Sequence, residues 1–263
     1  MLIEIRNRWN NKIIYTCEGV NLECAVVDAI SKNVNLSYAD LRYANFNSAN
    51  LSNVNISYAD LRDANFNSAN LSDTDFRYAD LSDANISGAN LSYADLSHAY
   101  LSDADLSGTN FRYADLSDAN ISGANLSNAD LSVANLSNAN LSNANLIGAN
   151  LTDANLSGAK SDFFEILLRS SKEIAGLRKS LVDGKVDGSV YKGECACLIG
   201  TIANIRKCNY ENLGTGLIPN SSRPAESWFC GIKEGDTPDT NQISAITVEW
   251  LDEFVELLKM AKS

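Results

Sequence analysis

Between Leu36 and Leu156 every fifth residue is Leu, Phe or Ile, 25 positions in succession without an insertion. The residue two before each is Ala in 21 copies, with Val34, Val54, Thr74 and Thr109 as the exceptions. The residue just before is Asn or Asp in 24, Tyr100 being the exception, and the one just after is most often Ser. A period of five suits neither regular element. Five residues turn an α-helix through about 500°, which would wind the apolar positions around its whole surface. Along a flat strand an odd period would send successive Leu side chains to opposite faces. The chain must therefore turn a corner every five residues, so that each large apolar side chain points to one axis. Asn, Asp, Ser and Gly tolerate such corners, and Ala leaves room for a narrow interior.

The stretch Tyr38–Arg42 recurs as Tyr58–Arg62, and Phe46–Asn50 recurs as Phe66–Asn70, both at an offset of 20 residues. Four five-residue sides would then close one coil, with like residues stacked between coils. A second recurrence, Tyr78–Leu91 against Tyr113–Leu126, runs at an offset of 35 and does not fit that register.

The repeated Ala-(Asn/Asp)-Leu-Ser-x pattern resembles the pentapeptide-repeat family over residues 34–158. The resemblance implies a mainly β fold, a right-handed quadrilateral β-helix solenoid. The central Leu or Phe and the preceding Ala would point inward and the other three residues outward. About six coils are expected, and a spacing near 4.8 Å would make a rod roughly 30 Å long.

Pattern changes on either side give three expected domains: 1–33, 34–159 and 160–263. An open β-helix would expose unpaired edges, so both ends need covers. Residues 2–6 and 12–17 alternate as a hairpin with Arg8-Trp9-Asn10-Asn11 as its turn, and Leu22 to Ser31 reads as a helix with Ala25, Val26 and Ala29 or Ile30 on one side. Together they predict an N-terminal cap. After Ala159 the period stops. Helical spacing predicts one helix over 162–182, a second apolar segment that is helical to about Arg206, and an amphipathic helix from Val248 to Met260. Residues 209–224 and 233–241, which hold all three Pro, read as loops. The C-terminal domain is thus expected to be rich in helix. Gly193–Asn204 and Ser222–Phe229 are similar to the tail of other bacterial and phage pentapeptide-repeat proteins, a resemblance that brings no activity with it.

Charge sharpens the picture. The net charge of −12 comes almost wholly from residues 34–159, whose 14 Asp and 4 Arg give −10. The 20-residue register sorts ten of those Asp onto two neighbouring faces: Asp40, Asp60, Asp80, Asp63, Asp83 and Asp103 on one, Asp75, Asp95, Asp115 and Asp118 on the other. These are the candidate acidic interaction faces. Tyr38, Tyr58, Tyr78 and His98 share a column, and with Tyr100 they form a candidate aromatic patch. So negative a surface argues against direct binding to nucleic acid. No stretch approaches a membrane span, and Met1–Arg6 has no long apolar run, so a cytoplasmic protein is expected.

Catalytic and metal signals are sparse. Cys195, Cys197, Cys208 and Cys230 could supply four thiolates, but paired Cys-x₂-Cys knuckles are missing, and buried free cysteines are the expectation. His98 is the only histidine, far along the chain from these thiols. Glu226, Asp236 and Asp239 could act as acids or bases, with nothing in the sequence to fix their geometry. No Gly-rich phosphate loop is present. We therefore expect no enzyme, no cofactor and no metal, and a regular acidic surface that binds an unidentified protein. A homodimer is compatible with the sequence. The family's quinolone-resistance branch resembles duplex DNA and binds type II topoisomerases such as DNA gyrase, which makes gyrase an alternative partner. A metal-binding or enzymatic C-terminal domain is the third reading.

Overall fold

In a computed structural model the described residues are 1–188, 197–214, 217 and 223–261. The chain divides into two compact units, one of residues 1–139 and 149–155, the other of residues 140–148 and 156–263.

The first unit opens with an antiparallel hairpin, β1 (Leu2–Arg6) and β2 (Ile13–Glu18), followed by α1 (Leu22–Ser31). Asn21 caps α1 by accepting the Cys24 N–H, and Ala25, Val26 and Ala29 are its buried side, as their spacing predicts. Beyond it the five-residue repeat forms no strand of ordinary length. Each side contributes a single parallel bridge to the residue 20 positions on: Asp40 to Asp60, Asn45 to Asn65, Asn50 to Asn70, Asn55 to Asp75. Two backbone hydrogen bonds serve each bridge. Leu41 N–H donates to Asp60 C=O at 2.8 Å, and Asp60 N–H donates to Ala39 C=O at 2.9 Å. The coil therefore repeats every 20 residues, in four sides.

The corners are built differently from the sequence expectation. Leu, Ser, x and Ala make a β-turn closed by bonds such as Ala44 N–H to Leu41 C=O at 3.2 Å. The residue x, every fifth from Tyr38 to Asp153, lies in the left-handed region, with φ between 57° and 72°. That is the third position of a type II turn. The occupants include Tyr, His98 and Val133 as well as Asn, Asp, Ser and Gly. Asn and Asp before each Leu serve the corner from outside it, as Asx side chains. Their Oδ1 accepts the N–H two residues on, as Asn55 does from Ser57 at 3.1 Å. Inside, the Leu/Phe/Ile and Ala residues of the pattern are buried except Ala154, in the last repeat, which is half-buried. Thr74 and Thr109 replace Ala there because each hydroxyl finds a carbonyl of the preceding coil, Leu51 C=O at 2.8 Å and Ile86 C=O at 2.9 Å.

The second unit holds five helices among its described residues: α2 (Ser157–Arg169), α3 (Ile174–Val182), α4 (Leu198–Arg206), α5 (Pro224–Phe229) and α6 (Gln242–Met260). The predicted single helix over 162–182 is thus two. Ser170 ends the first, its buried hydroxyl donating to Ile166 C=O at 2.7 Å, and Glu173 starts the second. A further correction concerns residues 209–224. They contain a 3-10 turn at Tyr210–Asn212, and Pro224 opens a helix, at the one position where its missing N–H is no loss. The closing helix begins at Gln242, six residues before its predicted start, capped by the Asn241 side chain. Its core clusters Phe163, Phe229, Trp228 and Trp250, and Trp228 Nε1–H donates to Thr247 Oγ1 at 2.9 Å. Ion pairs join the helices: Arg178 to Asp252 at 2.8 Å, Lys160 to Glu253 at 2.6 Å, Arg206 to Glu173 at 2.8 Å, and Arg223 to Asp162, whose carboxylate also accepts the Ala225 N–H of α5.

Candidate interaction surface

One side of the coil carries most of the singled-out residues. Its first edge is the corner column Tyr38, Tyr58, Tyr78 and His98. The register lays these rings one over another, with centroids 4.7, 4.8 and 4.7 Å apart and planes within 14° of parallel. Trp9, in the hairpin turn, meets Tyr38 edge-on at 5.5 Å and ends the stack. Tyr100 does not join it. It occupies a bridge position between Asp80 and Asn120, half-exposed, and stacks on no ring among the described residues. The opposite edge is the corner column Tyr43, Asp63, Asp83 and Asp103.

Between the edges run the bridge residues Asp40, Asp60 and Asp80, and here charge is compensated. Arg42 clasps Asp40 in a two-pronged pair at 2.9 and 2.7 Å, and Arg62 does the same to Asp60 at 2.8 and 2.7 Å. Each guanidinium also reaches the next carboxylate along the column, Arg42 to Asp60 at 3.6 Å and Arg62 to Asp80 at 3.5 Å. Arg8 lies 3.8 Å from Asp60 and 3.9 Å from Asp80. Hydrogen bonds from Arg42 hold the Asp40 carboxyl below its ordinary range. Burial alone would raise Asp60, but the Arg62 hydrogen bond and the Arg8 charge outweigh it and the net direction is down. Asp75 behaves likewise under Arg77, which also reaches Asp95 at 3.5 Å.

The ten acidic residues therefore fall into two kinds. Asp40, Asp60, Asp80, Asp75, Asp95 and Asp115 are Asx residues whose Oδ1 accepts a backbone N–H at the corner. Asp63, Asp83, Asp103 and Asp118 stand at the corners themselves, with no ion pair among the described residues. Two features escaped sequence reasoning. Tyr93 and Tyr113 form a second stacked pair at 4.9 Å, which the 20-residue register could have revealed. Arg8 and Trp9 carried no signal, because they lie outside the repeat.

The second unit offers less chemistry. A cleft of about 630 Å³ is lined by Asp187, Cys230, Lys233, Glu234, Asp236 and Asn241, among others. Burial pushes the Cys230 thiol up, and Cys197 to about 12, so both stay protonated and poorly nucleophilic near neutral pH. The Asp236 carboxylate is engaged by Lys233 N–H and Asn241 Nδ2, both at 2.8 Å. Glu226 is buried and Asp239 exposed. Among the described residues no group of three or more His, Cys, Asp or Glu is placed to hold a metal ion, and Cys195 lies outside them. No helix among them is long and apolar enough to cross a membrane.

A family model described as pentapeptide repeats matches in eight copies over residues 32–67, 64–103, 89–128 and 129–160. No curated protein matches the chain significantly. Among solved structures, HetL from the cyanobacterium Nostoc sp. strain PCC 7120, a pentapeptide repeat protein involved in heterocyst differentiation regulation, is 40% identical over 45% of this chain and 60% of its own, with a TM-score of 0.32. Rfr23 from the cyanobacterium Cyanothece 51142 is 35% identical over 36% and 58%, with a TM-score of 0.26. QnrB1, a plasmid-mediated fluoroquinolone resistance protein, is 25% identical over 42% and 64%, with a TM-score of 0.31. The chain thus spans less than two thirds of the length of each of these three.

Proposed function

Because the chain belongs to the pentapeptide-repeat family through residues 32–160, we propose that it is a non-enzymatic protein whose β-helical segment presents a regular surface to a protein partner. In this reading the segment winds right-handed in about six coils, a one-dimensional repeat of the kind that builds extended binding faces. The observation that carries the proposal is the side bounded by the Trp9–Tyr38–Tyr58–Tyr78–His98 stack and by Asp63, Asp83 and Asp103. Aromatic residues are enriched in interface cores, the Arg-paired column beside the stack carries little net charge, and the corner carboxylates supply a polar rim. Two variants test it in cross-linking capture: Ser at Tyr38, Tyr58 and Tyr78, and Asn at Asp63, Asp83 and Asp103. Loss of the same captured protein in both supports the surface. Equal capture by both variants and the parent would rule it out.

A second reading is mimicry of duplex DNA toward DNA gyrase. It is favoured by the corner carboxylates, which carry no ion pair among the described residues, and weakened by the Arg-paired bridge column beside them. A supercoiling assay separates the two readings. Inhibition of gyrase that the triple Asp-to-Asn variant loses would favour mimicry, and unchanged supercoiling at large protein excess would remove it.

A further inference from the structure

Two of the six cysteines lie in the N-terminal hairpin and helix, and neither has a role in the surface above. Cys17 is in β2, opposite Ile3 in the hairpin register, and is half-buried. Cys24 is in the first turn of α1 and is exposed. The loop between these elements brings Gly19 against both. A Cβ built on Gly19 would lie 3.5 Å from Cys24 Cβ and 3.8 Å from Cys17 Sγ. Both cysteines thus border one gap, which stays open because residue 19 has no side chain. Both ends are anchored. Gly19 N–H donates to Met1 C=O at 3.0 Å, and Cys24 N–H donates to the Asn21 side chain at 2.9 Å.

We propose that Cys17 and Cys24 are a dithiol modification site that closes to a disulfide at the expense of a low-molecular-weight disulfide. Exposure sets the order of events. The Cys24 thiol gives its proton to solvent, attacks one sulfur of the small disulfide and expels one small thiolate, leaving a mixed disulfide on Cys24. Cys17, also losing its proton, then swings into the gap beside Gly19, attacks the Cys24 sulfur and expels the second thiolate. The two leaving thiolates take up two protons. Two protein thiols are oxidised, and one small disulfide is reduced to two thiols. The loop closed spans eight residues, and the new bond ties β2 to α1.

The test uses the full chain carrying Cys208→Ser, which removes the other exposed thiol among the described residues. The reduced protein is mixed with oxidised glutathione and followed by intact mass and non-reducing peptide mapping. We expect a product that has lost two hydrogens, retains no glutathione and links the Cys17 and Cys24 peptides. Adding Cys17→Ser should instead leave one glutathione on Cys24. Adding Gly19→Ala, whose methyl meets only ordinary contacts, should leave adduct formation unchanged but slow closure roughly tenfold, because the gap is filled. A stable Cys24 adduct in the Cys208→Ser parent, a link to another cysteine, or no reaction at all overturns the proposal. Unchanged closure in the Gly19→Ala chain overturns its geometry.

Discussion

A residue with a Cβ gives up about 1 kcal/mol or more to sit in the left-handed region, and the corners ask this of Tyr, His and Val as well as of Asn and Gly. Tyr38, Tyr58, Tyr78, Tyr93 and Tyr113 recover it by stacking, since an aromatic pair contributes about 0.5–1.5 kcal/mol beyond its burial. Val133 has no such return. It is β-branched, 41% exposed and held at φ 61°. Val133→Asn should therefore raise unfolding free energy by about 1 kcal/mol, read from urea denaturation. The corner position was hard to see in the sequence because aromatic and β-branched residues favour extended backbone, and the 20-residue stacking that favours most of the corner tyrosines is not visible in any single repeat. Titration belongs to this scale too. Asp40, Asp60 and Asp75 all have lowered pKa values when folded. Their contribution is present above the ordinary carboxylate pKa near 4 and is lost as pH falls through the folded values. The melting temperature should hold between pH 7 and 5 and drop by a few °C toward pH 3. Arg62→Ala should melt lower at pH 7 and show a smaller acid drop.

Elements in the repeat are held less by strands than by side-chain ladders. Asn70 accepts from Ser72 N–H and from Asn90 Nδ2, and its own Nδ2 donates to Asn50 at 3.2 Å. Asn70→Ala removes all three bonds and should cost about 1–3 kcal/mol. Asn70→Asp keeps both acceptances and should cost less than half as much, which paired denaturation curves can resolve. The hairpin, α1 and the coil register were legible because each follows a simple period. The helix-rich unit was legible only in outline. Apolar spacing runs straight through Ser170–Glu173, yet the Ser170 hydroxyl takes the Ile166 carbonyl and the helix ends there. Pro224 reads as a breaker until the three-dimensional position of Asp162, which receives the Ala225 N–H, makes it a helix start.

For the molecule as a whole, the hairpin ties down the start of the coil, and one residue of it reaches both the first and the second turn. Arg8 N–H donates to Tyr38 C=O at 2.8 Å, and its guanidinium donates to Tyr58 C=O at 3.1 Å and Ala59 C=O at 2.9 Å. Arg8→Ala should raise amide hydrogen exchange at Leu36 to Ala44 while Leu96 to Leu116 keep their protection, because repeats unfold by neighbour contacts. The candidate surface was half legible: its columns follow from arithmetic and the Arg42–Asp40 and Arg62–Asp60 pairs span only two residues, but the third cation, Arg8, reaches Asp60 and Asp80 only because of where the hairpin lands.

The interior and the exterior of the coil keep different clocks. Any slippage by five residues puts Leu again on Leu, Ala again on Ala and Asn or Asp again at the bridges, whereas only a slip of 20 restores the same outward columns. The 35-residue recurrence is such a slip. Tyr78 stacks between Tyr58 and His98, but its counterpart Tyr113 stacks on Tyr93, at a different corner. Copying a stretch of this sequence by an odd number of sides thus keeps its inward pattern and gives its outward residues a new address.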